Sequence, residues 1–109
     1  MANSIKLIVY PTKDVAATKR LLNTFLGTEP YVDGEWYVGY KVGDMEVGID
    51  PNGKAVIAYT DTDDIQASLK SLTDAGATVA MEPKDVGGGL MVAQVELDGN
   101  ILGLRQPAK

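Results

Sequence analysis

The side chains able to do chemistry in this chain are carboxylates, tyrosines, lysines and arginines, because it contains neither histidine nor cysteine. Without histidine, the usual general base near neutral pH and the commonest transition-metal ligand are both missing. Without cysteine there is no thiolate nucleophile, no disulfide and no zinc–sulfur site. Ser-His-Asp and Cys-His mechanisms are therefore excluded. Proton transfer would fall to Asp, Glu, Tyr or Lys with a shifted pKa, or substrate would be positioned without it. Two patterns imitate known sites. The run Gly87-Gly88-Gly89 suggests a phosphate loop, but such a loop needs a helix after it and usually a lysine and a hydroxyl. Here a strand follows, so a flexible hairpin or lid is the better reading. Asp61, Asp63 and Asp64 suggest a calcium loop, yet its glycine and distal glutamate are absent. They read instead as a helix start, where carboxylates meet the positive end of the dipole.

The elements that must position these groups come as a weak internal repeat at an offset of about 50 residues. Residues 12 to 22 read TKDVAATKRLL and residues 62 to 72 read TDDIQASLKSL, so that Thr12 matches Thr62, Asp14 matches Asp64 and Thr18 matches Ser68. Farther on, EVGID at 46 to 50 lies over ILGLR at 101 to 105, with Gly48 on Gly103. The first unit opens with a β-branched run from Ile5 to Tyr10, closed by Pro11. Asp14 caps a helix with Val15, Leu22 and Leu26 at helical spacing, Leu21 and Phe25 beside them, and Gly27 as its stop. A connection or short strand through Tyr31 and Val32 follows. Trp36 to Val42 then alternates, turns at Gly43-Asp44, and Met45 to Asp50 returns. The second unit repeats the plan: a strand from Lys54 to Thr60, and a helix carrying Ile65, Leu69, Leu72 and Ala75 with Gly76 after it. Strands over Ala77 to Met81, Leu90 to Leu97 and Ile101 to Gln106 complete it. The expected fold class is α+β. Two tandem βαβββ units, about 4–52 and 53–107 of a single 1–109 domain, form a curved mixed sheet around a central cleft with the helices outside.

Composition narrows the function further. A net charge of −5 argues against nucleic acid, whose phosphates want clustered Lys and Arg. No stretch approaches the roughly 20 apolar residues of a membrane helix. The opening MANSIKLIVYP carries one lysine and no apolar run suited to a signal peptide, so a cytoplasmic location is expected.

The segments VYPTKDVAATKRLLNTFLG (9 to 27), AYTDTDDIQASLKSLTDAGA (58 to 77) and VELDGNILGLRQP (95 to 107) together resemble the vicinal oxygen chelate superfamily. This is the glyoxalase/bleomycin-resistance/dioxygenase fold. In metal-using members the resemblance implies four ligands, which fall here at Leu7, Gly48, Ile57 and Gly103. None of those side chains can coordinate a cation, and the nearby Glu46 and Asp50 offer at most one carboxylate from their strand. The chain thus resembles a metal-free member, with no cofactor expected. If those four positions face the cleft, alternation adds Val9, Glu46, Asp50, Tyr59, Asp61 and Arg105 to its wall, with Tyr37, Gly39, Lys41, Val92, Gln94 and Glu96 on the longer strands. Ile8, Val47, Ile49, Ala58, Leu102 and Leu104 would then face the helices.

The expected binding residues are Trp36, Tyr37, Glu46, Gly48, Asp50, Tyr59, Gln94, Gly103 and Arg105, and no catalytic residue stands out. Glycine at both implied metal positions would leave room for a flat or bulky ligand. Trp36 is open between packing, in the core or at a dimer interface, and an aromatic platform at the cleft mouth. Arg105 either meets an anionic ligand or neutralises Glu46 or Asp50. The expected function is metal-independent binding of a small aromatic or drug-like molecule, as in antibiotic-sequestering members. The alternative is a metal-independent isomerase or lyase using Glu46, Asp50 or Tyr59 as acid or base. Members of this size commonly pair, so a homodimer is expected, with Trp36 or Tyr40 near the counterpart strand. Elemental analysis should find no stoichiometric divalent metal, and a chelator should leave the melting temperature unchanged. A bound metal whose removal lowers that temperature would contradict the reading.

Overall fold

A computed structural model describes residues 2–108. Two compact units divide the chain: one comprises Lys6–Ile57, and the other runs on from Ala58 and takes in the segment up to Ile5. In the first unit, β1 (Ile5–Pro11) leads into α1 (Val15–Leu26), followed by β2 (Val32–Asp33), β3 (Val38–Val42) and β4 (Met45–Asp50). The second has β5 (Ile57–Asp61), α2 (Ile65–Asp74), β6 (Thr78–Asp85), β7 (Met91–Leu97) and β8 (Asn100–Gln106). Both are therefore βαβββ units of one α+β fold. The strand order is β2-β3-β4-β1 in the first and β5-β8-β7-β6 in the second. In each unit the strand before the helix lies parallel to the last strand, with Val9 opposite Gly48 and Tyr59 opposite Gly103. Among the described residues no helix is long and apolar enough to cross a membrane.

The repeated Thr, Asp and hydroxyl positions prove to be one capping device used twice. The Oδ1 of Asp14 accepts from the Ala17 N–H at 3.0 Å, and that of Asp64 accepts from Ala67 at 3.1 Å. Thr12 and Thr62 accept the N–H of the capping aspartate, at 3.0 and 3.2 Å. Their hydroxyls also meet those of Thr18 and Ser68, at 2.8 and 2.6 Å. Each network satisfies donors that a helix start leaves open, and a cap of this kind contributes about 1 kcal/mol. At the other end of α1, Gly27 adopts φ 70°, and its N–H reaches the Asn23 carbonyl at 2.9 Å.

Each helix covers one face of its own sheet. Under α1, Leu22 packs with Val38, Tyr40, Val47 and Ile49; under α2, Ile65 and Leu69 pack with Ala93, Val95 and Leu104. Four expectations are corrected. The strand expected from Lys54 begins only at Ile57. β6 runs through Pro83 instead of ending at Met81, because an edge strand tolerates proline and absorbs it in register shifts. Leu102 is half exposed, because the surface beside α2 is open there, although alternation placed it in the helix-side core. Tyr40, expected near a partner strand, is fully buried beneath α1. The glycine run forms a hairpin turn in which Val86 donates to the Leu90 carbonyl at 2.9 Å.

Tyr40 ties helix to sheet. Its hydroxyl donates to Asn23 Oδ1 at 2.6 Å and lies 3.2 Å from the Lys19 carbonyl. Burial raises its pKa above the usual 10.0, because the phenolate would be poorly solvated there. The neutral ring therefore contributes stability that is fully present below the unfolded pKa and is lost as pH rises through the folded one. Tyr40→Phe should cost about 1 kcal/mol near neutral pH. It should also remove this alkaline loss of stability, which denaturant melts across the pH range would detect.

Candidate functional site

The two sheet faces turned away from the helices carry the expected binding residues, and each unit holds its own set. In the first unit, Gly39 stands opposite Gly48 in the β3–β4 register, with Lys41 opposite Glu46. This pair of glycines makes a flat floor, and the Tyr37 ring lies on it. A Cβ added at Gly48 would collide with the Tyr37 hydroxyl, and the ring carbons Cζ and Cε1 would lie only 2.7 and 2.8 Å away. A Cβ at Gly39 would meet the same ring at 3.1 Å and Tyr31 Cε1 at 3.3 Å. Tyr31 therefore belongs to this group. Its hydroxyl donates to Glu46 Oε1 at 2.5 Å, and the Lys41 ammonium sits 4.6 Å from its ring centroid. The Tyr31 N–H donates to the Gly39 carbonyl at 2.9 Å, which fixes the residue beside the floor. Sequence reading missed Tyr31 because it precedes a strand of only two residues; the aromatic one turn before an alternating run was its sole signal.

Trp36 lies outside β3, in the turn closed by the Gly34 N–H and the Tyr37 carbonyl at 3.0 Å. It is 69% exposed, so it does not pack in this unit's core. Asp50 closes β4, where its Oδ1 accepts from the Asn52 N–H at 2.8 Å and shapes the exit turn.

The second unit repeats the tyrosine-on-glycine arrangement. Gly103 stands opposite Tyr59 on one side and Gln94 on the other. A Cβ at Gly103 would overlap the Tyr59 ring carbons Cδ2 and Cε2, with Cγ at 2.7 Å. The ring crosses the glycine so that Tyr59 Oη accepts from Gln94 Nε2 at 2.9 Å. Next to it, Arg105 clamps Asp61, its register neighbour, through Nε to Oδ1 at 2.8 Å and Nη2 to Oδ2 at 3.3 Å. Asp61 was not among the partners expected for Arg105. Glu96 is drawn into the β7–β8 turn, accepting from the Gly99 N–H at 2.7 Å.

One expectation is overturned outright. The glycines do not leave open room for a ligand, because Tyr37 and Tyr59 occupy the space above them. A second surface was not foreseen. On the opposite, helix-bearing face of the second unit, an open depression of about 900 Å³ is lined by Ile5, Ala58, Thr60, Asp63, Leu72 and Leu102, among others. Of the expected binding residues only Gly103 borders it.

The four implied metal positions do not fit a cation. Leu7 and Ile57 have no donor atom, and tyrosine atoms cover Gly48 and Gly103. Among the described residues no three His, Cys, Asp or Glu side chains are grouped as a metal site would need.

No protein family model and no curated protein matches the sequence. Solved structures do. A glyoxalase/bleomycin resistance protein/dioxygenase superfamily member from Vibrio splendidus 12B01 superposes with TM-score 0.72 at 17% identity, covering 97% of this chain and 100% of that one. The Streptomyces coelicolor methylmalonyl-CoA epimerase in complex with 2-nitronate-propionyl-CoA gives 0.70 at 17%, covering 98% and 99%. An NAD-dependent benzaldehyde dehydrogenase from Legionella pneumophila gives 0.72 at 11%, covering 94% and 98%. The chain has the vicinal oxygen chelate fold. At these identities the likeness shows the fold alone, and the names attached to it span unrelated chemistries.

The tyrosine-on-glycine contact sets a measurable constraint. Gly103→Ala should destabilise the protein by about 1–3 kcal/mol through overpacking against Tyr59. In the double variant with Tyr59→Ala the two effects should couple by about 0.5–3 kcal/mol, because removing the ring frees the space. Additive effects in denaturant unfolding would mean that the ring does not rest on the glycine.

Proposed function

We propose that this protein binds a small, at least partly aromatic molecule without a metal, on the tyrosine-covered face of its first unit. The observation that carries the reading is the pair of rings, Tyr31 and Tyr37, set side by side over the Gly39–Gly48 floor. Half-exposed Tyr31 and exposed Trp36 put two amphipathic aromatic surfaces within five positions of each other, where a planar ligand can stack. Lys41 and Glu46 supply charged groups of both signs at its edge. In the second unit Tyr59 is buried and its hydroxyl accepts from Gln94, so that unit offers no open ring for stacking.

Binding is preferred to acid–base catalysis because the carboxylates are already engaged. Glu46 accepts from Tyr31, and Asp50 holds the turn at Asn52. A general base must reach a substrate proton, and these two are committed to positioning structure. The reading includes pairing of two copies of the chain.

Native mass spectrometry of protein from its own host should reveal a retained organic molecule. A panel of planar aromatic compounds should quench Trp36 fluorescence, Trp36 being the sole tryptophan. Tyr31→Ala and Tyr37→Ala should each weaken the best compound at least tenfold, equivalent to about 1.4 kcal/mol. Affinity unchanged in both variants would place the site elsewhere, and a chelator-sensitive affinity would refute metal independence.

A further inference from the structure

The turn that ends β4 holds the one Asn-Gly pair of the chain, Asn52-Gly53. Asp50, Pro51, Asn52 and Gly53 stand in the order that a β-turn favours, and the Gly53 N–H closes it on the Asp50 carbonyl at 3.2 Å. Asn52 is exposed, and its N–H donates to Asp50 Oδ1 at 2.8 Å. Packing explains the glycine. A Cβ at position 53 would press on Pro11 Cβ at 3.2 Å and on Asp50 Cβ at 3.4 Å. The approach of the ends of β1 and β4, where Pro11 stands opposite Asp50, thus keeps an unscreened backbone nitrogen next to an asparagine.

That juxtaposition is reactive, because no side chain on residue 53 keeps its nitrogen from the Asn52 Cγ. The hydrogen bond that occupies the nitrogen is at the long end of the usual range, and it lies in a turn, where local opening costs least. Beside the turn an open hollow of about 400 Å³, bordered by Pro11, Thr12, Lys13, Gly53 and Lys54, admits water. Its lysines favour the negative charge that forms on the nitrogen when its proton leaves. The other asparagines lack this combination. Asn23 sits in α1 with its side chain bonded to both Tyr40 and Glu29. Asn100 precedes β-branched Ile101, and Asn3 precedes Ser4, so each has a Cβ beside the nitrogen that would attack.

We propose that Asn52 is a site of spontaneous covalent modification, converting in the folded protein to isoaspartate and aspartate. The Gly53 nitrogen gives its proton to solvent and attacks Asn52 Cγ. The bond from Cγ to the side-chain nitrogen breaks, and that nitrogen leaves as ammonia with a proton from water. The five-membered imide then takes up one water molecule. Opening at Cγ leaves aspartate, whereas opening at the backbone carbonyl carbon leaves isoaspartate, whose main chain runs through Cγ and is longer by one atom. Either product adds a negative charge to the net −5. The isoaspartate also lengthens a turn that is already tight against Pro11.

Ageing the native protein at mildly alkaline pH tests it. Residue 52 should gain the mass difference between an amide and an acid before Asn3, Asn23 or Asn100 changes, and isoelectric focusing should show an acidic shift of one charge. Peptide mapping separates this from Asp33-Gly34 and Asp98-Gly99, which rearrange only without a change in mass. The peptide containing residue 52 should accept methyl groups from S-adenosylmethionine through an isoaspartyl methyltransferase, and the same peptide from aged Asn52→Ser should not. No mass gain at residue 52 would overturn the proposal. A gain confined to urea-unfolded protein would overturn it too, since the native turn would then shield the amide. So would a gain without isoaspartate, because direct hydrolysis of the side chain makes aspartate alone.

Discussion

The missing Cβ at Gly48 and Gly103 is the constraint on which the rest of the functional face depends. In a sheet, side chains on one face stand only about 5 Å from their cross-strand neighbours, so a ring can lie flat only where a neighbour has none. Each glycine provides that gap, and Tyr37 and Tyr59 lie in it. With the rings lying down, their hydroxyls reach sideways instead of outward. Tyr59 thereby meets Gln94 two strands away. Beside Tyr37, the second ring of Tyr31 finds room over Gly39, and that brings its hydroxyl onto Glu46 and its face under Lys41. At both glycines, where the resemblance implied metal ligands, tyrosine atoms occupy the space.

The two units share their scaffold closely and differ where they meet solvent. Both helix starts use threonine, aspartate and a second hydroxyl in one hydrogen-bond pattern, and both cores rest on five buried residues from the helix and the strands beneath it. Those positions cannot drift without leaving backbone donors or apolar surface uncompensated. The outward helix face has no such restraint. There α1 carries Leu21 and Phe25, whereas the matching positions are Ser71 in α2 and Ala75 at its C-cap. A duplicated unit can in this way keep its internal contacts while its outer surfaces diverge.

Chemistry is limited more by what the chain lacks than by what it holds. Without histidine or cysteine, the polar groups left on the sheet faces are tyrosine, glutamine, carboxylate, lysine and arginine, and the structure pairs most of them with one another. Such paired groups hold geometry well and move protons poorly.

Periodicity and turn chemistry were enough to read the units, their helices and the caps at Asp14, Asp64 and Gly27, because these depend on neighbours a few residues apart. Alternation also separated Val47 and Ile49, under the helix, from Tyr37 and Gly48 on the other face. Three things lay beyond it. Tyr31 joins the site because its N–H bonds the Gly39 carbonyl just before a two-residue strand, a contact between separate segments. Leu102 is exposed because the surface beside α2 stays open there, which depends on where a helix of ten residues comes to rest. Above all, the fate of the space over Gly48 and Gly103 was invisible. A sequence records that a glycine is small, whereas only the packed chain decides which neighbouring side chain moves into the gap, since that is a competition among rotamers on several strands at once.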